Sequence, residues 1–139
     1  MSTALGRYPA LHKTLWLDAA ATGAMGALLL LDAGVIDGLI GIPALALRWA
    51  GGVLVPYAGL LVWAVRQPRA PHLVLWLVVG GNIAWSVASV LLVLGGWLTP
   101  TSLGTELVLA QAVVVALFAV LEYQGMRGGT PTLPSAARR

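Results

Sequence analysis

Four blocks of predominantly apolar residues dominate the chain, at about 14–31, 44–65, 73–97 and 103–125. About 20 such residues carry an α-helix across the roughly 30 Å hydrocarbon core of a bilayer. Each block is therefore expected to form a transmembrane helix. The breaks between them have recognisable causes. "DAGVIDGLIGIP" brings two aspartates and ends in Pro43, a good first residue for a helix. "RQPRAPH" carries charge and two prolines, and "LTPTS" is a short turn. The apolar piece 35–42 is too short to cross; it is expected to lie at the interface as a short amphipathic turn or to pack on the helices as a partly buried loop. The reading is an all-α, integral membrane four-helix bundle over residues 1–127. Residues 128–139, rich in Pro and Gly, are expected to form a disordered cytoplasmic tail.

Composition reinforces this class. Of 139 residues, 59% are hydrophobic and only 9% charged, against roughly 25% charged in a soluble globular protein. The chain holds no cysteine, which removes disulfides, thiolate catalysis and Cys-based metal sites from consideration.

Seven of the eight Lys and Arg residues fall at the N-terminus, in the 66–72 loop or at the C-terminus, and Arg48 alone lies on the opposite side with Asp32, Asp37 and Glu106. By the positive-inside rule both termini are expected in the cytoplasm. The first block has the charged start of a signal peptide, but Asp18 interrupts it and no small-residue cleavage site follows, so a retained helix is expected.

The first and third blocks open alike, "HKTLWL" and "HLVLWL", with His12 and His72, Trp16 and Trp76, and then Thr22 and Asn82 all separated by 60 positions. This is the pattern of a parallel repeat of two helical hairpins about an axis along the membrane normal, or a chance match of Leu- and Ala-rich helices. His12 and His72 read as interfacial anchors beside their tryptophans; ligation of a haem or chlorin is the competing reading.

The polar residues inside the blocks are the candidates for function. Asn82, Ser86 and Ser89 fall at i, i+4 and i+7 on one helix face with Trp85. Gln111 lies at a depth similar to that of Asn82, so a hydrogen bond between the two is expected, either as a clip between helices or as part of a polar path. Asp18 and Glu122 form a candidate acidic pair near the cytoplasmic end. They either face each other and share a proton or pair with Lys13, Arg66 or Arg127. Arg48 and Glu106 form a candidate ion pair at the outer end. Small residues at Ala19, Gly23 and Ala27, and at Gly51, Val55 and Gly59, suit close helix packing. Pro56 is expected to kink the second helix.

The stretches "GLIGIP", "LRWAGGVLVPYAGLLVWAVRQP", "NIAWSVASVLLVLGGWLTPTSLG" and "QAVVVALFAVLEYQGMR" resemble a group of small four-span bacterial inner-membrane proteins. The resemblance covers most of residues 15–127. It implies the same topology and a place in a bacterial inner (plasma) membrane, and it carries no established activity and no catalytic residues.

No nucleophile with a base, metal-ligand cluster or phosphate loop stands out. The leading expectation is a small non-enzymatic membrane protein, structural or accessory to a larger complex, without cofactor or metal. Its partners would be the lipid bilayer and a protein partner or second copy, but not nucleic acid. The alternative is a small transporter or carrier using the polar face of Asn82, Ser86 and Gln111. A third reading, an enzyme acting on lipid or quinone, would gather Asp18, Glu122 and a histidine in one pocket.

Overall fold

The computed structural model describes residues 2–5 and 8–128. Arg7, Arg138, Arg139 and all of the expected tail beyond Gly128 lie outside the described residues. The described chain forms helices α1 (Pro9–Leu31), α2 (Ala33–Ile40), α3 (Ala44–Arg66), α4 (His72–Leu94) and α5 (Ser102–Arg127). Of these, α1, α3, α4 and α5 are long and apolar enough to cross a membrane. A two-residue strand β1 (Ser2–Thr3) pairs antiparallel with β2 (Ala70–Pro71). The start of the chain is thus tied to the α3–α4 loop at one end of the molecule, and α2 lies at the other.

The helix ends follow local chemistry and shift three expected boundaries. α1 starts at Pro9 rather than Thr14, because a proline at the first helical position loses no hydrogen bond and is already held at helical φ. α4 stops at Leu94 rather than Trp97, because Gly95 and Gly96 follow and Gly96 adopts φ +71°, a left-handed turn that ends helices. The apolar piece after α1 is neither a turn nor a loop but the eight-residue helix α2, closed by Gly41 at φ +70°. Thr101 caps α5 by accepting from the Gly104 N–H, and its own hydroxyl donates to the Leu39 carbonyl. That pair of bonds ties the start of α5 to the end of α2. α3 continues as one helix through Pro56.

α1 packs along α3, and α4 along α5; α1 also meets α5, whereas α3 and α4 touch only lightly. The α1–α3 crossing is close because glycines occupy it. A Cβ on Gly51 would stand 2.7 Å from the Gly26 carbonyl oxygen and 2.9 Å from the Leu30 side chain. The expected stripe shifts at this point: Gly26 carries the contact, while Ala27 is exposed and Gly59 faces open space. A helix turns 3.6 residues per cycle, so a spacing of four drifts off the face and the step from Gly23 to Gly26 returns to it.

The apolar core is split in two. Leu11, Leu15, Leu61, Val65, Leu75 and Val78 form a plug toward the end that bears the N-terminus. Ala33, Ile40, Ile42 and Leu47 form a second cluster at the opposite end. Large apolar side chains such as Leu17, Trp49, Leu77 and Leu117 point outward, while the buried polar residues Asp18, Thr22, Asn82, Ser89 and Glu122 point inward. Large apolar groups outside and polar groups within is the distribution a lipid environment favours.

The 60-residue offset reappears in burial. Leu15 and Leu75, Asp18 and Val78, Ala19 and Val79, and Thr22 and Asn82 are all buried. α1 and α4 therefore present the same register to the interior, with polar residues matched at Thr22 and Asn82 and an acid, Asp18, where α4 has Val78.

Candidate functional site

Between the two apolar clusters, one side chain gathers a set of polar groups from all four long helices. Asn82 of α4 donates through Nδ2 to Asp18 Oδ2 of α1 at 2.8 Å and to Glu122 Oε2 of α5 at 3.1 Å. Its carbonyl Oδ1 accepts from the Tyr57 hydroxyl of α3 at 3.0 Å. That hydroxyl also lies 2.9 Å from the Val78 carbonyl oxygen, so its single proton is shared between two acceptors. Thr22, one turn beyond Asp18, donates to Asp18 Oδ1 at 2.8 Å. Both N–H donors of Asn82 are thus used and its carbonyl oxygen accepts one bond, a pattern that matches the orientation of its amide.

The set is dry. Asp18 is 0% exposed, Glu122 1% and Asn82 3%. One donor group serves two carboxyls, and among the described residues the buried Glu122 Oε1 has no hydrogen-bond partner. Buried charges are ordinarily paired and their oxygens satisfied. Among the described residues no Lys or Arg pairs with either acid. Two uncompensated carboxylates side by side in a dry core are electrostatically untenable. The arrangement calls for one positive charge, as a proton or a small cation. Among the described residues no group of three or more His, Cys, Asp or Glu converges, a donor set too sparse for a transition metal.

Above this node, away from the plug, a cavity of about 370 Å³ extends between the helices. Thr22, Tyr57 and Asn82 form its floor, Trp85, Phe118 and Val115 its walls, and Gln111 lies farther along α5. Met25, Val53 and Val114 at its rim are 43%, 54% and 49% exposed. These residues lie mid-helix, so the cavity opens through the side of the molecule. Gly81 shapes the floor, because a Cβ there would stand 3.2 Å from the Tyr57 ring.

The structure sorts the residues singled out from the sequence. Asp18, Asn82 and Glu122 come together. Gln111, Val115 and Phe118 line the cavity, with Glu122 one turn beyond Phe118. The expected Asn82–Gln111 hydrogen bond is replaced: Gln111 Oε1 accepts from the Trp85 indole at 3.1 Å, while Asn82 is occupied by the two acids and Tyr57. Ser86 and Ser89 leave the path as well. Ser86 donates to the Ala112 carbonyl and Ser89 to the Trp85 carbonyl of its own helix, so both serve helix packing and backbone.

Asp18 and Glu122 do not pair with the basic residues near them. Lys13, Arg66 and Arg127 are exposed. Arg127 donates to the Tyr123 hydroxyl and its guanidinium lies 5.4 Å from the ring centre. The outer Arg48–Glu106 pair does not form either; both side chains are exposed. The reason is helical phase. Leu47 and Gly51 face inward on α3 and Gly104 faces inward on α5, which turns Arg48 and Glu106 outward. Asp37, at the same end of the molecule as Arg48, accepts from the Ala44 N–H at the start of α3. His12 lines a separate cavity near the N-terminal end with Lys13 and Arg66, and His72 is the half-buried first residue of α4. Neither histidine joins the two acids.

Sequence reasoning missed Tyr57 and the hydroxyl of Thr22. A signal for Tyr57 was present: it stands nine residues before the end of α3, about 14 Å along the helix axis and far from the ends where membrane aromatics usually gather. Comparison with family models, curated proteins and solved structures finds no match for this chain.

Proposed function

We propose that the protein is a small cation- or proton-coupled membrane carrier, with Asp18, Asn82 and Glu122 as its charge-binding centre. On this reading the four long helices form a bundle in a bacterial inner membrane, with both termini in the cytoplasm. The basic residues at the N-terminus, the 66–72 loop and the C-terminus support that orientation.

The observation that carries the proposal is the unpartnered, buried Glu122 Oε1 in a two-carboxyl node at the floor of a laterally open cavity. A group serving only to clip helices would have its polar atoms satisfied. Ionisable residues inside a membrane typically mark ion or proton pathways. The node takes one proton or one monovalent cation at a time. Asn82 and Tyr57 sit between it and the cavity, so a change in node occupancy alters the groups a substrate would touch. Binding and release are the whole of the chemistry in this reading, and no bond of the substrate is made or broken.

The test uses proteoliposomes with an acidic lumen and a trapped pH-sensitive dye. A panel of inorganic and organic monovalent cations is added outside. Entry of a transported cation should expel protons and raise the luminal pH for the native protein, and Asp18→Asn and Glu122→Gln should abolish the response. A luminal pH identical to that of protein-free vesicles with every cation would leave the structural or accessory role, with Asn82 as a clip between helices.

A further inference from the structure

The cavity above the node has a chemistry that selects among monovalent cations. Two buried carboxyls lie one helical turn beyond its lining: Asp18 precedes Thr22 on α1, and Glu122 follows Phe118 on α5. No Lys, Arg or His lines it. Three aromatic side chains do, Tyr57, Trp85 and Phe118, and aromatic faces attract organic cations, most strongly where water is excluded. Apart from Thr22, Asn82 and Gln111 the remaining lining is apolar, and its exposed members Met25, Val53 and Val114 lie at mid-helix, where lipid would be. The volume of about 370 Å³ lies at the lower end of the range for small-molecule sites.

We infer that this cavity binds a small lipophilic organic monocation, such as an aromatic amine or quaternary ammonium, entering from the bilayer with its charged head at the Thr22–Tyr57–Asn82 floor. The inference rests on the carrier reading and adds the substrate class to it. Binding is an exchange: one monocation arrives and one proton leaves the Asp18–Glu122 pair, so the net charge of the buried site is unchanged. The groups that face the node are Asp18 from α1, Tyr57 from α3, Asn82 from α4 and Glu122 from α5. Tyr57 is the other titratable member and holds its proton in the bonds to Asn82 and Val78. His12 and His72 lie outside this set.

Benzyltrimethylammonium and its uncharged carbon isostere, neopentylbenzene, test the assignment with the purified full chain in detergent. Equilibrium dialysis at several pH values should show saturable binding of the ammonium, one per chain. The Kd should fall about tenfold per pH unit over the range in which the proton is displaced. The isostere should bind at least tenfold more weakly, and Trp85→Leu should weaken the ammonium without removing its pH dependence. Equal affinity for the neutral isostere would overturn the inference, because the site would then be an apolar pocket. A Kd independent of pH would overturn it as well. Lack of ammonium binding, alongside proton exchange in vesicles with some other cation, would overturn the substrate class and leave the carrier reading standing. Failure of both assays would overturn both. The native protein alone decides between these outcomes, so the test does not depend on the variants folding.

Discussion

At the scale of single residues, Asn82 is the element on which the interior depends. Its amide is shared by two acids and a tyrosine from three other helices. Asn82→Leu keeps the volume but removes the donor that Asp18 and Glu122 share. An abandoned buried polar partner costs about 1–3 kcal/mol, so this variant should unfold in detergent at a clearly lower temperature than the native protein. Tyr57→Phe removes one hydroxyl shared between two acceptors and should cost less, near the average of about 0.6 kcal/mol for a hydrogen bond within a membrane. Differential thermal unfolding of the two variants in one detergent checks the order; equal effects would mean that Asn82 is not central. The sequence announced Asn82 by its place inside an apolar block, but its partners could not be read. With α1 taken to begin at Thr14, Asp18 appeared shallow and within reach of basic residues. Starting at Pro9 moves it about a turn and a half deeper, to about 14 Å from the helix start, comparable with Asn82 on α4.

At the scale of helices, two glycines set the α1–α3 crossing. Gly51 has no room for even a methyl group against the Gly26 carbonyl, so Gly51→Leu should separate α1 from α3. Overpacking of this kind costs about 1–3 kcal/mol, occasionally more. Gly59→Leu, on open space, should be nearly neutral. Thermal unfolding in detergent separates the two, and similar losses from both would refute the assigned crossing. The lengths and apolar character of the spans were legible because hydrocarbon thickness dictates them. Which small residues meet was not, since Gly and Ala are common in every span and close packing depends on three-dimensional phase. The ion pair expected of Arg48 and Glu106 failed for the same reason: shared depth does not imply a shared face.

At the scale of the whole molecule, the two helix pairs meet through an apolar plug at one end and, beyond it, through polar groups. α1 with α3 and α4 with α5 make broad contacts, and Asn82 and Tyr57 join the pairs across a cavity. The charge bias along the chain is what supports the proposed placement of the termini and the α3–α4 loop in the cytoplasm. The absence of native cysteine makes this directly testable. Gly38→Cys in α2 should react with a membrane-impermeant maleimide on cells whose outer membrane is permeabilised. Gln67→Cys should react only after the inner membrane is opened. The reverse pattern would invert the orientation. Four candidate spans and polar residues within them were visible in the sequence; the convergence of Asp18, Asn82 and Glu122 and the cavity beside them were not, because both depend on how the helices pack in three dimensions.

On the carrier reading, Asp18 and Glu122 together hold one exchangeable positive charge. Infrared spectroscopy of the purified protein without organic cations reads this most directly, through the carbonyl stretch of a protonated carboxyl group. One such group per chain is expected, missing from the Asp18→Asn/Glu122→Gln double variant and lost from the native protein when a bound cation displaces the proton. A spectrum with both acids ionised in the absence of any cation, and unchanged on adding one, would contradict it.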